Sequence, residues 1–593
     1  MRRPVRGAAR LCGGSMNVAD ALIRMLADCG VEYIFGVPGD TNVPLYHAIR
    51  DAGGRVRHVM ARDERSASYM AESYARLTGK PGVCECPSGA GVLYSMPGAA
   101  EAFCSSVPFI LLVNDIPLAG EGRGTLTELD CVRLLEPITK LSVQVKLPQK
   151  LPDAVRRAFR AATSGRPGAA QVVLPEDVML QPMPDGADTR VERDCLRAPA
   201  YPARGDGAST ARLAAMFGEA ERPVIVAGGG ANRSEARAAI LAVAERFGAP
   251  VVTTITGQSV VPDDHPLALG VVGDNGYHPH AHRAVEESDL LVYVGSRVGS
   301  VITMGWTFPA PSPARRIVQI DCDPEMLANA AGTALSIAGD ARCVMENVLE
   351  AAAEGTAQRT KGWVDSLNRD RAVFWSAMAA DLESDSVPLK PQRVIAELNR
   401  RLEEPVIVIS DAGTPTPYAS RFLCLKHAGS SLVIPRGYGG LGYAIPAVIG
   451  AWLGRPDARP IGLFGDGSLG MSAGELETLA RLNVPAVLIH FNNASFGWIK
   501  ALQRVQARPG ENDPFVSVDF TPGDMARVAS AFGLAAWRAE TPDELSAALD
   551  KAFATKGPSF VDVVVESIAD ALPPVYRWLK KTGSDPLALP QRR

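Results

Sequence analysis

The segment 460–500 constrains the fold more than any other stretch, because it holds two apolar runs that each have the length of a buried strand. The first run, Ile461 to Phe464, ends at Gly465-Asp466-Gly467. The second run, Pro485 to Phe491, ends at Asn492-Asn493. The residues between them are numerous enough for a helix, so the segment predicts two parallel strands joined by a helical crossover.

The crossover helix is predicted from its capping residues and its apolar stripe. Ser472 is the expected N-cap, and Glu475, three residues later, is its expected capping-box partner. Leucines at 476, 479 and 482 recur at helical spacing, which predicts one buried face.

The two polar turns follow the carboxyl ends of their strands, which is where parallel sheets bind ligands. Asp466 and Asn493 stand at these ends, 27 residues apart. One carboxylate and one amide oxygen, with a backbone carbonyl, form a hard oxygen site that has too little charge to hold a cation alone. Such a site suits Mg²⁺ shared with a diphosphate. A Gly-Asp-Gly turn is common, so the prediction depends on the whole strand–helix–strand context.

Composition argues against several functional classes. The net charge of −4 provides no global basic field that would recruit nucleic acid or an anionic membrane. No apolar run approaches the length of about 20 residues that a membrane span needs. The ten cysteines form no Cys-x-x-Cys pair, which is typical of free thiols in a reducing cytosol. We therefore expect a cytoplasmic protein without nucleic-acid or membrane partners.

Length and patterning predict several α/β domains. The 593 residues correspond to about three or four domains. From Met16 onward, helices alternate with short apolar strands, which predicts the α/β class with three doubly wound parallel-sheet domains. Residues 1–15 are expected to be a disordered leader, with a short transit peptide or a true start at Met16 as alternatives. The predicted bounds are 16–180 for the first domain, 207–350 for the central domain, 389–570 for the third domain and 571–593 for a tail.

Two segments resemble the thiamine diphosphate (ThDP)-dependent enzymes. The Gly-Asp-Gly turn followed by Asn492-Asn493 at this spacing resembles the ThDP signature. The segment MARDERSASYMAESYARLTGKPGV resembles the family pattern HExxAxxxAxGYARxTGxPGV, with Glu64 at its glutamate and Ser73 in place of its first glycine. The resemblance covers nearly the whole chain from Met16, and acetolactate synthase is the nearest whole-chain likeness. It implies a pyrimidine-binding first domain and a diphosphate-binding third domain.

The resemblance implies that Glu64 is catalytic. In the family this glutamate hydrogen-bonds the aminopyrimidine ring and so promotes formation of the reactive ylid, while the cofactor supplies the electron sink. Partial burial would raise the pKa of the carboxyl group, as such proton sharing requires. From the residues alone, a carboxylate that opens a helix could instead simply stabilise the helix dipole.

The third domain carries further motifs of the family. Its turn at 411–414 resembles the one that contacts the diphosphate. Leu441 resembles the large apolar residue that separates the two rings of the cofactor, and an ordinary core leucine is the alternative. The resemblance assigns Mg²⁺ to Asp466, Asn493 and the backbone carbonyl of Ser495. It assigns cofactor contacts to Pro38, Gly39, Glu64, Ser88, Gly413, Thr414, Gly440, Leu441, Gly465, Asp466, Gly467, Ser468, Asn493, Phe496 and Gly497.

Asp40 is a second catalytic candidate. It ends the turn Gly-Val-Pro-Gly-Asp, which resembles the pyruvate and indolepyruvate decarboxylases, where this aspartate relays protons. From the residues alone, a helix N-cap is the alternative. His490, just before the Asn-Asn turn, is expected to be a packed strand residue.

Several positions depart from the acetolactate synthase pattern. Asp63 stands where those enzymes have histidine, and Asn114-Asp115 stand where they have Gly-Gln. The run that begins at Arg297 lacks their second arginine, and their tryptophan beyond the Asn-Asn turn falls near Leu502, with Trp498 closer to the turn. In the family these positions line the substrate side, so the departures predict an altered substrate pocket.

The resemblance implies ThDP- and Mg²⁺-dependent decarboxylation of a 2-oxo acid such as pyruvate, followed by carboligation to a second carbonyl. A simple decarboxylase that releases an aldehyde is the alternative, and a non-catalytic ThDP-fold protein is the other class. In the family the two halves of a site come from different subunits, which implies a homodimer or tetramer. Relatives bind FAD, ADP or nothing in the central domain, where Gly228-Gly229-Gly230 resembles a nucleotide loop, so FAD stays open.

Overall fold

The computed structural model describes residues 16–352, 357–403, 405–426 and 431–584. This part of the chain contains three sheets of six strands, and all strand pairings within them are parallel. Helices flank each sheet. The prediction of an α/β fold with three doubly wound parallel sheets is therefore confirmed. The predicted leader at 1–15 and the end of the predicted tail, 585–593, lie outside the described residues.

The first sheet lies in the N-terminal third of the chain. Its strands are β1 (Tyr33–Gly36), β2 (Arg57–Met60), β3 (Gly82–Pro87), β4 (Phe109–Asp115), β5 (Leu141–Gln144) and β6 (Ala169–Pro175). Its helices are α1 (Val18–Asp28), α2 (Val43–Asp51), α3 (Glu64–Thr78), α4 (Ala90–Ser105), α5 (Cys131–Leu135), α6 (Leu151–Thr163) and α7 (Glu176–Met179). All seven residues of β4 are buried, as expected for a central strand that helices cover on both faces.

The second sheet forms the core of the central domain. Its strands are β7 (Pro223–Ala227), β8 (Val251–Thr253), β9 (Ala268–Val271), β10 (Leu290–Val294), β11 (Arg316–Asp321) and β12 (Thr333–Ala338). Its helices are α8 (Gly207–Glu219), α9 (Gly229–Arg233), α10 (Arg237–Phe247), α11 (Pro279–Glu287) and α12 (Ala341–Ala351). The strand order is β12-β11-β10-β7-β8-β9, so the chain reverses direction across the sheet between β7 and β10.

The third sheet follows a long connecting helix, α13 (Ala357–Leu382). Its strands are β13 (Val406–Ser410), β14 (Ser431–Val433), β15 (Arg459–Gly465), β16 (Val487–Asn492), β17 (Ala535–Ala539) and β18 (Ser559–Val564). Its helices are α14 (Pro391–Asn399), α15 (Pro415–Phe422), α16 (Ala444–Gly454), α17 (Asp466–Ser472), α18 (Glu475–Leu482), α19 (Gly497–Gln506), α20 (Met525–Ala531), α21 (Pro542–Ala554) and the terminal α22 (Tyr576–Lys581).

The first and third sheets share one topology. The first has the order β2-β1-β3-β4-β6-β5, and the third has the order β14-β13-β15-β16-β18-β17. When the strands are counted within each domain, the two orders are identical. Each sheet therefore reverses its winding between its first and third strands, and such a switch point opens a ligand crevice at the carboxyl ends of those strands.

The predicted capping box in the crossover helix is wrong. Helix α17 begins directly at Asp466, and the hydroxyl of Ser472 donates to the carbonyl of Ser468 at 3.0 Å within that helix. Helix α18 starts after Gly474, without a side-chain cap. Its predicted apolar stripe is confirmed, because Leu476 and Leu479 are buried and Leu482 is partly buried against the same core. Helix α17 begins immediately after strand β15, so the free N–H groups of its first turn face the crevice at the end of that strand.

The C-terminal segment packs against the other domains. The Arg577 guanidinium donates to the Asp274 carboxylate of the central domain at 2.8 Å. The Trp578 ring lies 4.4 Å from the Trp498 ring, measured between centroids. Helix α22 therefore lies over the start of α19. Among the described helices, none is both long enough and apolar enough to cross a bilayer.

Candidate active site

The diphosphate candidates lie at the switch point of the third sheet. Gly413 and Thr414 follow β13, and the residues from Gly465 to Ser468 follow β15. Strand β16 pairs with β15 on the other side, which brings Asn493 to the same edge. These residues were predicted from separate motifs, and the parallel order of the strands brings them to one crevice.

Three oxygen atoms converge at this edge. Asn493 Oδ1 lies 3.2 Å from Asp466 Oδ2 and 3.3 Å from the carbonyl oxygen of Ser495. An ionised carboxylate and two carbonyl oxygens only accept hydrogen bonds, so their approach is unfavourable unless a cation lies between them or the amide rotates to present its NH₂ group. Carboxylate, amide and carbonyl oxygens are ligands of Mg²⁺. The unrotated amide therefore fits a cation.

The protein supplies too little charge to hold that cation alone. The described residues contain no group of three or more His, Cys, Asp and Glu side chains that could hold a metal ion. Asp466 is the one carboxylate among the three converging groups, and burial raises the pKa of its side chain. A phosphate-bearing ligand would add the missing anionic oxygens, as Mg²⁺ sites at nucleotide and diphosphate groups require.

Gly467 and Gly497 lie at this edge of the sheet, at positions where the surrounding atoms leave no room for a side chain. A methyl group built on Gly467 would collide with the Phe496 ring. One built on Gly497 would lie 2.7 Å from the Asn493 amide nitrogen and 2.8 Å from the Thr414 hydroxyl. Glycine is needed at both positions because any side chain would displace a predicted cofactor contact.

Leu441 lies in a loop shaped by positive-φ glycines. Gly439 and Gly442 have φ angles of +67° and +75°, which side chains rarely adopt. A methyl group on Gly440 would collide with the Tyr69 hydroxyl. Leu441 itself is only half-buried, so part of its side chain is free to contact a ligand.

A buried carboxylate of the first domain holds the segment that leads to this loop. Glu101 in α4 accepts hydrogen bonds from the backbone N–H groups of Gly437 at 3.0 Å and Tyr438 at 2.8 Å. Its charge is balanced by Arg76, which also pairs with Glu72. This contact joins the first and third domains within one chain.

Glu64 is the first residue of α3 and is half-buried. Asp63 is the N-cap, and its carboxylate accepts from the backbone N–H of Ser66 at 2.8 Å. Burial raises the pKa of Glu64, and the negative charges of Asp63 and Glu85 add to the rise. A methyl group on Gly91 would lie 3.1 Å from Glu64 Oε1, so the start of α4 faces this carboxylate. Asp63, and not Glu64, therefore caps helix α3.

The other first-domain candidates lie at the switch point of the first sheet. Asn42, not Asp40, stands at the N-cap of α2, so the N-cap alternative for Asp40 is wrong. Asp40 and Pro38 are exposed to solvent. Gly39 packs on Pro87, where a methyl group would lie 2.6 Å from Cβ. Ser88 is buried, and its hydroxyl lies 2.7 Å from that of Thr127.

Glu85 in β3 is the centre of a buried hydrogen-bond network and is not among the residues that the sequence motifs indicate. It has no exposed surface. Its Oε2 accepts from the amides of Asn42 at 2.8 Å and Asn114 at 3.1 Å. Its Oε1 accepts from the Tyr46 hydroxyl at 2.6 Å and lies 3.2 Å from the His58 ring. A charged residue inside an otherwise apolar strand was the available signal, because such residues are buried only with partners.

The network around Glu85 holds the turn that carries Pro38, Gly39 and Asp40. Asn42 uses its Oδ1 to accept from the backbone N–H of Gly39 at 2.8 Å, while its NH₂ group donates to Glu85 and to the carbonyl of Val37.

Two residues that depart from the acetolactate synthase pattern have structural partners. Asp63 caps α3, and Asn114 donates to Glu85.

A cavity of about 980 Å³ lies where the three domains meet. It opens at the carboxyl ends of β7 and β10, which is the switch point of the second sheet. Gly229, Gly230 and Ser296 line it there, so the predicted nucleotide loop lies on its wall. Arginines outnumber carboxylates on its lining: Arg76, Arg166, Arg197, Arg233, Arg237, Arg297, Arg436 and Arg455 against Glu235, Asp321 and Asp340.

Three protein-family models match consecutive parts of the chain. The thiamine pyrophosphate enzyme N-terminal TPP-binding domain matches residues 16–134, the central domain matches 210–350, and the C-terminal TPP-binding domain matches 411–563. Each match falls on one of the three sheets. The fold and these matches define a thiamine pyrophosphate enzyme.

Curated relatives match over almost their whole length. A probable acetolactate synthase large subunit from Methanocaldococcus jannaschii is 33% identical over 94% of this chain and 93% of the relative. An acetolactate synthase from Arthrospira platensis is 31% identical over 94% of this chain and 95% of the relative. A glyoxylate carboligase from Escherichia coli O157:H7 is 30% identical over 94% and 93%. The chain belongs to the acetolactate synthase-like family of ThDP-dependent enzymes.

Proposed function

We propose that the enzyme uses ThDP and Mg²⁺ to decarboxylate a small 2-oxo acid and to join the product to a second carbonyl compound. The observation that carries the proposal is the convergence of Asp466, Asn493 and Ser495 oxygens at the switch point of the third sheet. The relatives named acetolactate synthase and glyoxylate carboligase support the carboligation step. The altered positions around Asp63 and Asn114 leave the identity of the oxo acid to experiment.

When bound, ThDP supplies the carbon nucleophile and the electron sink for loss of CO₂. Asp466, Asn493 and the Ser495 carbonyl would hold Mg²⁺ on its diphosphate. Thr414 offers a hydroxyl donor beside them, and Gly467 and Gly497 let the backbone approach. Half-buried Leu441 would pack against the rings of the cofactor.

Glu64 is the proposed proton-holding group of the site. Its raised pKa lets the carboxyl group share a proton near neutral pH more readily than an exposed carboxylate would. Glu85 adds a second negative charge near Glu64. Through Asn42 it also fixes the turn that carries Asp40. We propose Asp40 as a further acid of the site. Asp40 is exposed in the single chain, as a residue that meets a second copy would be.

The site is proposed to be completed by a second copy of the chain, in a homodimer or tetramer. The candidates belong to two domains, Glu64 and its neighbours to the first and Asp466 and its neighbours to the third. Large apolar side chains are exposed beside the candidates of the first domain. They are Val43 at the start of α2, Leu93 and Tyr94 near the start of α4, and Leu126 next to Thr127. Covering them would both bury apolar surface and enclose Glu64.

The central cavity is proposed to hold FAD. It lies at a switch point, has a glycine-rich wall and is lined by more arginines than carboxylates, all of which suit a dinucleotide diphosphate. Burial and neighbouring arginines lower the pKa of Arg233 to about 10, and a bound phosphate would offset that repulsion. A yellow purified protein that releases flavin on denaturation is the expected result. A colourless protein with bound ADP would contradict FAD.

The reaction is tested by product analysis. The protein loaded with ThDP and Mg²⁺ is incubated with pyruvate, glyoxylate and larger 2-oxo acids, and the products are identified by mass. A 2-hydroxy ketone product with released CO₂ is expected. A free aldehyde as the main product would favour the simple decarboxylase instead, and absence of CO₂ release from the whole panel would contradict both.

The nine described cysteines are all free thiols, which supports the predicted cytoplasmic location.

A further inference from the structure

The Leu441 loop, residues 437–442, is rich in glycine. Four of its six residues are glycines, and glycine loses more backbone freedom on ordering than any other residue. A loop of this composition keeps one shape only where other contacts hold it. Two such contacts come from Glu101 in α4, whose carboxylate accepts from the backbone N–H groups of Gly437 and Tyr438, one on each oxygen. The loop of the third domain is therefore anchored on the first domain.

Glu101 is itself fixed by its neighbours in the first domain. The Ser105 hydroxyl, one turn further along α4, donates to Glu101 Oε1 at 2.6 Å. The Arg76 guanidinium of α3 lies 3.4 Å from the same oxygen and also pairs with Glu72, so the buried carboxylate has a counter-charge. Hydrogen bonds to a carboxylate are roughly twice as strong as those between neutral groups. Glu101 is thus a rigid acceptor that presents both oxygens to the loop.

A second carboxylate makes the same kind of contact in the reverse direction. Glu475 of the third domain accepts from the backbone N–H of Arg62, just before Glu64. Glu101 and Glu475 each lie in the crossover after the third strand of a sheet, and each accepts from the segment after the second strand of the other sheet. The first and third domains therefore each use one buried carboxylate to hold a turn of the other domain that carries a proposed cofactor contact.

We propose that Glu101 is a positioning residue for the cofactor, which holds the Leu441 loop in the shape that binds ThDP. This inference rests on the proposed function, which assigns Leu441 to the rings of ThDP. Without its anchor the loop adopts the binding shape only part of the time, and the apparent affinity for ThDP falls by that fraction. A purely structural Glu101 would change the unfolding temperature and leave the ThDP affinity of the folded protein unchanged.

The test is Glu101→Leu, which removes both acceptor oxygens and is similar in size. Arg76 keeps its pair with Glu72, so no charge is left without a partner. The first measurement is the dissociation constant of ThDP at saturating Mg²⁺, by calorimetry without substrate. We expect a rise of about 5–150-fold, the range to which the loss of a buried acceptor corresponds. A rise below about fivefold overturns the proposal.

The second measurement shows whether the effect acts through the loop. Hydrogen exchange is followed by mass spectrometry at the backbone amides of 437–442, in protein without ThDP. These amides should exchange faster in Glu101→Leu than in the wild type, because two of them have lost their acceptor and the loop opens more readily. Weaker ThDP binding with unchanged exchange in the loop overturns the proposal, since Glu101 would then act elsewhere.

Two further variants keep the test decisive. Glu101→Gln places an NH₂ group against one of the two backbone N–H donors, and it is measured under the same criteria if Glu101→Leu does not fold. Asp289→Leu is the matched control, because the Asp289 carboxylate also accepts from two successive backbone N–H groups, those of Glu221 at 2.8 Å and Arg222 at 2.9 Å. They lie at the amino ends of β7 and β10 in the central domain, so ThDP binding should match that of the wild type. An equal loss of ThDP affinity in the control overturns the proposal.

The outcome also separates this inference from the proposed function. Wild-type protein that does not bind ThDP would refute the cofactor assignment itself. A wild type that binds ThDP, with a Glu101→Leu variant that binds it equally well, would refute only the role of Glu101.

Discussion

The backbone N–H of Arg62 donates to the Glu475 carboxylate at 2.8 Å, which joins the residue two positions before Glu64 to the helix after the Gly-Asp-Gly turn. Glu475 has no exposed surface, and its other oxygen accepts from the Thr478 hydroxyl at 2.7 Å. Its carboxylate is therefore turned toward the first domain and cannot reach back to Ser472 as a capping-box partner. The buried Glu475 side chain thus connects the first domain, which carries Glu64, to the third domain, which carries Asp466.

Replacing Glu475 tests the strength of this tie. Glu475→Leu leaves the Arg62 N–H and the buried Thr478 hydroxyl without this acceptor, and a buried donor that loses its partner typically costs about 1–3 kcal/mol. We expect a lower unfolding temperature by differential scanning fluorimetry, and a smaller loss for Glu475→Gln, whose amide oxygen still accepts. Equal unfolding temperatures for the two variants would show that the hydrogen bond does not contribute.

Gly91 is expected to be required for the placement of Glu64. A methyl group there would lie 2.7 Å from Pro87 Cδ and 3.1 Å from Glu64 Oε1. Gly91→Ala should therefore lower turnover, although alanine favours a helix by about 1 kcal/mol over glycine. Gly218→Ala in α8 is the control, since nothing lies within 4 Å of its added methyl group, and its turnover should equal that of the wild type. Unchanged turnover in Gly91→Ala would contradict close packing at Glu64.

Glu64→Gln separates the chemical role of this residue from cofactor binding. The amide keeps the size of the side chain but cannot exchange a proton, so turnover should fall by about 10²–10⁴-fold. ThDP binding, measured by calorimetry, should change little. Glu32→Gln is the control, because Glu32 is exposed and pairs with Lys80 at 3.0 Å. Full turnover by a Glu64→Gln enzyme with bound ThDP would refute the assignment.

The sheet edges could be predicted from the sequence because they depend on local patterns. The apolar run Ile461 to Phe464 lies within β15, and the polar residues that follow it must emerge at the carboxyl end of a parallel strand. Asp466 and Asn493 meet for that reason alone. The first sheet has the same topology as the third, so Glu64, which follows β2, also lies at the carboxyl ends of parallel strands.

The supporting residues could not be predicted, because their partners depend on strand order. His490 was expected to be packed in its strand, and it is, but its partner Asp562 lies 72 residues away on β18. Glu85 likewise gathers donors from separate turns and strands. The Ser472 capping prediction failed because a tertiary contact, from Arg62 to Glu475, outweighed a local one. Periodicity and capping rules contain no information on such long-range pairs.

Asp411, the first residue of the proposed diphosphate turn at 411–414, should make stability depend on pH. Burial raises the pKa of its carboxyl group to about 7, although the carboxylate accepts from the backbone N–H of Ala444 at 3.1 Å. The unfolded chain releases this proton near the ordinary value of 3.8. Between these two values the folded protein binds a proton that the unfolded chain has lost, so the stability that Asp411 contributes is complete at low pH and is lost as the pH rises through about 7.

Asp411→Asn removes this titration. The unfolding temperature of the variant minus that of the wild type should therefore become more positive between about pH 5 and about pH 8, measured by scanning fluorimetry in matched buffers. Asp513→Asn, at an exposed position, is the control, and its difference from the wild type should stay constant over the same range. A constant difference for Asp411→Asn as well would mean that the carboxyl group of Asp411 titrates alike in the folded and unfolded chains. Its burial at the end of β13 would then be compensated by hydrogen bonds stronger than the one from Ala444.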